Sequence, residues 1–425
     1  MGLQWVFIIM FALLFLRVPI AAAMGIAAGL ALWLDGIPMT VIPSRMFATL
    51  NSFTLMAIPF FVFVGNAMNT GGVSARIFNF ARACLRHRTG SLGHVNILAS
   101  IIFAGKSGSA VADAYGLGLI QIQEMRKSGY DDDFSTGITA ASSTIGPIIP
   151  PSIMMVLYAV LAEQSVGRMF MGGYVPGLLM GLALMLAVYF TAKRKGYKIE
   201  ERSTWAERLK VTISAIPSLL SPVLLFVLII MGVITPTEGA VVVGGYAIIL
   251  GVFIHREMGA KALYNIILQS VKGSASVMLI ISSASILTWV ILTSGLPALL
   301  TNTLLGITDN RFIILLLINL VLLMMGTLME GTSIMMIMVP LLLPIAHALD
   351  INLVHLGIIM VFNITLGNIT PPFGLCLFVV AKVANMPFER MAKAILPFLW
   401  PLLVVLLLIT FIPQIVLFLP TLLMG

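Results

Sequence analysis

Four short stretches interrupt an otherwise apolar chain, and each sets neutral oxygen ligands beside glycine or proline. They are KSGS at 106–109, SSTIGPIIPPS at 142–152, EGTS at 330–333 and NITLGNITPPFG at 363–374. A helix that stops at such a point leaves its first N–H and last C=O groups without intrahelical partners. The carbonyl end, joined by Ser, Thr and Asn oxygens, suits a hard cation such as sodium, whereas the amide end carries partial positive charge and suits a carboxylate. The candidate ligands are therefore Ser107, Gly108 and Ser109 at the first tip, with Ser143, Thr144, Gly146 and Pro147 at the following break. Their counterparts are Gly331, Thr332 and Ser333 at the second tip, with Thr365, Gly367, Asn368 and Thr370 at its break. Any one of these small residues is explained as well by close helix packing. Four interruptions in register are harder to explain that way.

Charges within the apolar region are costly unless paired or wet. Lys106 lies in the first tip, Asp113 just past it, Glu330 in the second tip, and Glu238 at the start of an apolar run. Lys106 reads either as a counter-charge to an anionic solute or a partner for Asp113, or as a cation reaching water or a buried carboxylate with no contact to solute. Asp113 reads as a structural partner inside its hairpin rather than as a direct ion ligand. The five histidines fall in or near loops without metal spacing, and there is no HExxH, GxSxG or P-loop, so metal-assisted hydrolysis, nucleophilic catalysis and ATP drive have no motif here. The GLG at 116–118 lacks a strand-to-helix context, the 27 methionines read as packing or lipid contact, and Cys84 and Cys376 form no disulfide or metal pattern.

The elements that must position these residues are membrane helices. The 425-residue chain is 60% hydrophobic and 9% charged, a composition with too little polar surface for a soluble domain, which indicates an all-α polytopic membrane protein. Its net charge of +8 gathers in short loops, as membrane topology requires, and gives no reason to invoke nucleic acid. The first residues lack a basic start and a cleavage signature, so they are read as a membrane segment. Irregular backbone survives at membrane depth only where protein or a polar cavity satisfies it. The breaks thus mark a site.

Taken in order, 3–15 and 20–34 are apolar runs separated by Arg17 and Pro19, either two short crossings or one kinked helix. A crossing at 51–68 leads to a basic loop, 76–94. The stretch 95–125 has arms too short to span and reads as a re-entrant hairpin, followed by a broken crossing at 134–162 and a return at 171–191. A basic linker, 193–211, precedes crossings at 212–233, 237–254 and 275–293. After an unassigned stretch, 296–310, come a second hairpin at 312–348, a broken crossing at 353–383 and a last crossing at 395–418. The halves 1–192 and 212–425 thus read as two repeats with hairpins entered from opposite faces, hence inverted, with both termini periplasmic. The runs VPIAAAMGIAAGLAL (18–32) and TPTEGAVVVGGYAII (235–249) are loosely alike. Paired interrupted segments of this kind point to a secondary transporter's binding site.

At SGSAVADA (107–114), GPIIPPS (146–152), GTLMEGTS (326–333) and NITPPFG (368–374), and in NSFTLMAIPFFVFVGNAM (51–68), the chain resembles the large membrane subunit of tripartite ATP-independent periplasmic (TRAP) transporters. The resemblance implies a sodium-driven importer in a bacterial inner membrane, with sodium as the coupling ion and no organic cofactor. It implies two partners besides the lipid: a small four-helix membrane subunit, and a periplasmic binding protein that delivers an organic acid anion such as a C4-dicarboxylate, a keto acid or a sialic acid. It also implies an elevator mechanism and carries ion and solute roles onto the two tips and two breaks named above. Lys106 departs from the family pattern, where an apolar residue is expected. Three other readings remain: a stand-alone dicarboxylate or citrate carrier of the same wider fold, an intramembrane enzyme, which would need a catalytic dyad, and a channel, which would need a continuous polar pore.

Overall fold

The computed structural model describes residues 3–197, 199 and 202–425, apart from the side chains of Leu3, Gln4, Lys106 and Ser107, and every regular element it describes is helical. The chain begins with α1 (Leu3–Phe15), α2 (Ile20–Leu34), α3 (Val41–Leu50), α4 (Ala57–Thr70) and α5 (Val73–Leu85). A hairpin follows, α6 (Ser91–Ser107) and α7 (Ala110–Lys127), then an interrupted helix, α8 (Asp132–Ser143) and α9 (Ile153–Leu161), and the long α10 (Val166–Lys195). Next come α11 (Trp205–Ile230), α12 (Pro236–Ile249), α13 (Ala260–Thr293) and α14 (Leu296–Ile307). The order of hairpin and interrupted helix then returns as α15 (Arg311–Leu328) and α16 (Gly331–Ala348), α17 (Leu353–Gly367) and α18 (Leu375–Ala384). The chain closes with α19 (Phe388–Ala394), α20 (Leu396–Phe411) and α21 (Pro413–Met424).

Six of these helices are long and apolar enough to cross a membrane, and up to eight if each sharply bent pair is one span. The hairpin arms α6 and α7 hold 17 and 18 residues, about 25–27 Å at 1.5 Å per residue.

Several boundaries differ from the sequence reading, each for a local reason. The expected basic loop at 76–94 is largely α5, whose Val73, Ile77, Phe78 and Ala81 are buried on one face. Its arginines are the wet face of an amphipathic helix: Arg76 pairs with Glu257 at 2.8 Å and Arg82 with Glu124 at 3.3 Å. The unassigned stretch 296–310 is mostly α14. The crossing expected at 51–68 is preceded by α3, and the two segments bend by 68°. The final crossing is broken between α20 and α21 at Ile412 and Pro413, where proline cannot donate the next helical hydrogen bond.

Around the interruptions, α15 lies along α17 and α6 along α8, while α2 packs on α13 and α12 on α4. One asparagine in the first arm of each hairpin fastens it to the neighbouring interrupted helix. Asn96 donates to Thr139 at 2.8 Å and accepts from Ser142 at 2.6 Å, and Ser142 also takes a bond from Ser100 at 3.1 Å. In the second unit Asn363 donates to Asn319 at 2.8 Å, which donates in turn to Thr410 at 2.9 Å. All of these side chains are buried, where an unmade bond costs more than a made one gains.

Close backbone approach sets the second unit. A Cβ on Gly367 would stand 2.4 Å from the Gly326 backbone, and one on Gly326 would stand 2.9 Å from Gly367. Gly367→Ala should therefore lower stability by about 2 kcal/mol or more, read by thermal melting in detergent, while Gly245→Ala, with nothing within 4 Å, should not.

At the turn between α7 and α8, Asp131 caps α8 through the Phe134 N–H at 2.8 Å and accepts from Lys195 at 2.6 Å and from Tyr197. Burial opposes ionisation of this carboxyl, but the bonds from Lys195, Tyr197 and Phe134 prevail and hold its pKa below the ordinary carboxylate value. A lowered folded-state pKa gives stability that is present above the unfolded value and lost as pH falls through the folded one. Asp131→Asn should thus cost stability at neutral pH and progressively less in acid, followed by melting temperature against pH.

Candidate functional site

The first tip forms because Gly108 ends α6 in the left-handed region at φ +58. Ser109 then caps α7 by accepting from the Ala112 N–H at 3.4 Å. The tip presses on the first break, since a Cβ on Gly108 would lie 2.6 Å from the Pro151 carbonyl oxygen. Ser152 caps α9 by accepting from Met155 at 3.3 Å. At the second tip Glu330 is the cap: its carboxylate accepts from the Thr332 N–H at 3.0 Å, the Ser333 N–H at 3.4 Å and the Thr332 hydroxyl. Gly331 lies against Met154 and Ile364, so this tip touches both interrupted helices. Each break carries a cis Pro–Pro peptide, Pro150–Pro151 and Pro371–Pro372.

Both tips, the start of α9 and the second break meet at one cavity of about 120 Å³. Gly108 and Ser109 line it from the first tip, Met154 from α9, Glu330, Gly331 and Thr332 from the second tip, Asn368 from the second break, and Val277 of α13 closes one side. The cavity therefore collects Gly108, Ser109, Gly331, Thr332 and Asn368 of the candidates. The side chains of Lys106 and Ser107 lie outside the described residues.

The remaining candidates do not line the cavity: Ser143, Thr144, Gly146, Pro147, Ser333, Thr365 and Gly367 are buried and Thr370 is half-buried. Ser143 and Thr144 donate to the Ala140 and Ala141 carbonyls at 2.8 and 2.6 Å, and Thr365 and Thr370 donate to Val361 and Leu366 at 2.6 and 2.7 Å. A hydroxyl that gives its proton to its own helix keeps oxygen lone pairs for another ligand. Gly146 packs directly on the Asp113 carboxylate, so a Cβ there would be 2.2 Å from it; Pro147 follows in the same turn. In the second unit Ser333 Oγ, Asn363 Oδ1 and Asn368 Oδ1 are shut off from solvent with no hydrogen-bond partner. Buried oxygens are normally satisfied, and three orphans beside one break ask for a bound group. Among the described residues no three His, Cys, Asp or Glu gather to hold a metal, and the oxygens at the tips and breaks are mostly hydroxyl, amide and backbone carbonyl, with the Glu330 carboxylate at the second tip.

Two expectations shift. The amide ends of α7, α9 and α16 are already capped by Ser109, Ser152 and Glu330, whereas α18 has no side-chain cap, and its first residue Leu375 lines the cavity. Glu238 is not at this site: it forms a capping box with Thr235 at the start of α12. The residues that the sequence reading missed are Asn96, Asn319 and Asn363. Each stands in an apolar run, where a lone amide was the available signal.

Apolar spans with two hairpins and two interrupted helices about a small cavity define a multi-pass membrane permease. Comparison with known proteins makes this specific. Residues 7–415 match the family described as tripartite ATP-independent periplasmic transporter, DctM component. The sialic acid TRAP transporter large permease protein SiaM of Vibrio cholerae is 42% identical over 90% of this chain and 89% of its own. The C4-dicarboxylate TRAP transporter large permease protein DctM of Pseudomonas aeruginosa is 40% identical over 88% of both. The solved YdaH transporter of Alcanivorax borkumensis shares the fold, with a TM-score of 0.65 at 15% identity over 88% of each chain. The chain belongs to the DctM family: it is the large permease subunit of a TRAP transporter, a multi-pass protein of the bacterial inner membrane, and not an enzyme.

Because Glu330 satisfies two α16 amides, Glu330→Ala should lower stability by about 1 kcal/mol. Glu330→Gln, which keeps an acceptor there, should lower it less, with thermal melting in detergent as the measurement.

Proposed function

We propose that this subunit imports an organic acid anion in symport with sodium, taking the solute from a periplasmic binding protein and working beside a small four-helix membrane subunit. The observation that supports the reading is the cavity shared by both tips, the second break and the first residue of the uncapped α18. Cation coordination would fall to Ser109, Ser143, Thr144, Thr365, Thr370 and the nearby backbone carbonyls, and the solute would meet Ser109, Thr332, Asn368 and α18. The relatives' names include sialic acid and C4-dicarboxylate, both carboxylates, and both relatives are parts of tripartite systems, which favours this reading over a stand-alone carrier.

The two hairpin-and-break units are read as inverted repeats that move together as an elevator. Support comes from unequal packing. On one side α16 lies along α13, with Thr288 donating to the Met336 carbonyl at 3.0 Å, and α9 packs on α4. On the other, Tyr115 and Phe378 are exposed on α7 and α18, which lead to Arg126, Lys127 and Lys382, and Phe373 is exposed in the break before α18. By the charge rule that side is read as cytoplasmic.

The test is uptake into proteoliposomes holding the permease and its membrane partner, with the binding protein added or omitted and a sodium gradient imposed. Uptake should need both. Ser109→Ala and Thr332→Ala should raise the sodium requirement or abolish uptake while the protein stays in the membrane. Normal sodium-dependent uptake by both variants counts against the site, and uptake without the binding protein counts against the tripartite reading.

A further inference from the structure

The cytoplasmic corner where the α5–α6 turn meets the first turn of α11 holds polar atoms that no described residue satisfies. Thr204 caps α11, which places Ser203 just before the cap and Arg208 four residues into the helix, positions that face each other across a helix start. Ser203 is 6% exposed and its Oγ has no hydrogen-bond partner. Arg208 Nε and Nη2 are likewise shut off from solvent and without a partner, as is His87 Nδ1 on the facing turn. Desolvation first, and then the guanidinium groups of Arg202, Arg88 and Arg208, hold the His87 pKa below its ordinary value. The acidic residue of the same helical turn, Glu207, is engaged by Arg86 at 3.1 Å.

Orphaned guanidinium nitrogens are expensive, and a tetrahedral oxyanion offers several acceptors at once, with the amide end of the 26-residue α11 adding its partial positive charge. We propose that this corner binds a phosphate group, carried by an anionic phospholipid or present as free phosphate. The surroundings favour the lipid. Trp205 is 84% exposed beside Arg208, and Leu209 and Ile213 are exposed on the next turns of α11. That is the pattern of a helix crossing the headgroup level, where acyl chains would lie along α11 below the phosphate. The site is far in sequence from the tips and breaks and independent of the transported solute.

The experiment uses the full chain in nanodiscs of phosphatidylcholine with or without phosphatidylglycerol, with native mass spectrometry to count retained lipid. The chain should keep phosphatidylglycerol that Arg208→Gln and Ser203→Ala release, Arg208→Gln at least about tenfold more readily. Arg208→Lys should restore part of the retention, and Arg194→Gln, a cytoplasmic arginine outside the corner, should leave it unchanged. In phosphatidylcholine alone, a thermal shift on adding inorganic phosphate that is lost in Arg208→Gln would assign the corner to free phosphate and still support the site. Equal lipid retention and equal phosphate response in the unaltered chain, Arg208→Gln and Arg194→Gln would overturn it.

Discussion

A backbone N–H or C=O left without a partner in hydrocarbon costs several kcal/mol. Four helix ends inside this protein must answer that constraint, and much of the local architecture does so. Ser109, Ser152 and Glu330 cap three of the helices that start at the interruptions. Gly108 lets the first tip press on the Pro151 carbonyl, and Gly326 and Gly367 let α15 and α17 meet backbone to backbone. What the caps do not cover is left as ligand: the orphaned oxygens of Ser333, Asn363 and Asn368, and the uncapped start of α18. The same economy that makes the breaks tolerable leaves a small set of unsatisfied groups, of which Asn368 and the start of α18 reach the cavity.

The asparagines explain how the set is held still. A tip that moved relative to its break would disperse the ligands, and Asn96 and Asn319 prevent this by joining the first arm of each hairpin to its interrupted helix. Buried amide contacts of this kind fix register as well as adding stability. Each hairpin is therefore tied to its neighbouring interrupted helix by buried side-chain hydrogen bonds.

The interruptions were legible in the sequence because glycine, proline and hydroxyl residues stand out in an apolar chain, and so the tips at Ser109 and Thr332 and the breaks at Gly146 and Gly367 could be located. Their convergence was not, since no residue pattern states which segments touch. The surface helix α5 was hidden because its arginines outweigh its buried stripe, and α14 because it is short and sits between two stronger signals. The self-capping of α16 by Glu330 was also hidden: a charge in an apolar region draws attention as a possible ligand, and only geometry reveals that its oxygens are turned onto the amides of its own helix.

The most direct test of a cavity shared by both tips, the start of α9 and the second break is a density map of the complex in sodium at a resolution that shows ions, compared with one in potassium. The expected result is non-protein density, present in sodium and absent in potassium, beside the break oxygens of Ser143 and Asn368 with Ser109 and Thr332 at the same cavity. Tips and breaks that stand apart, or a dry cavity identical in both salts, would contradict it.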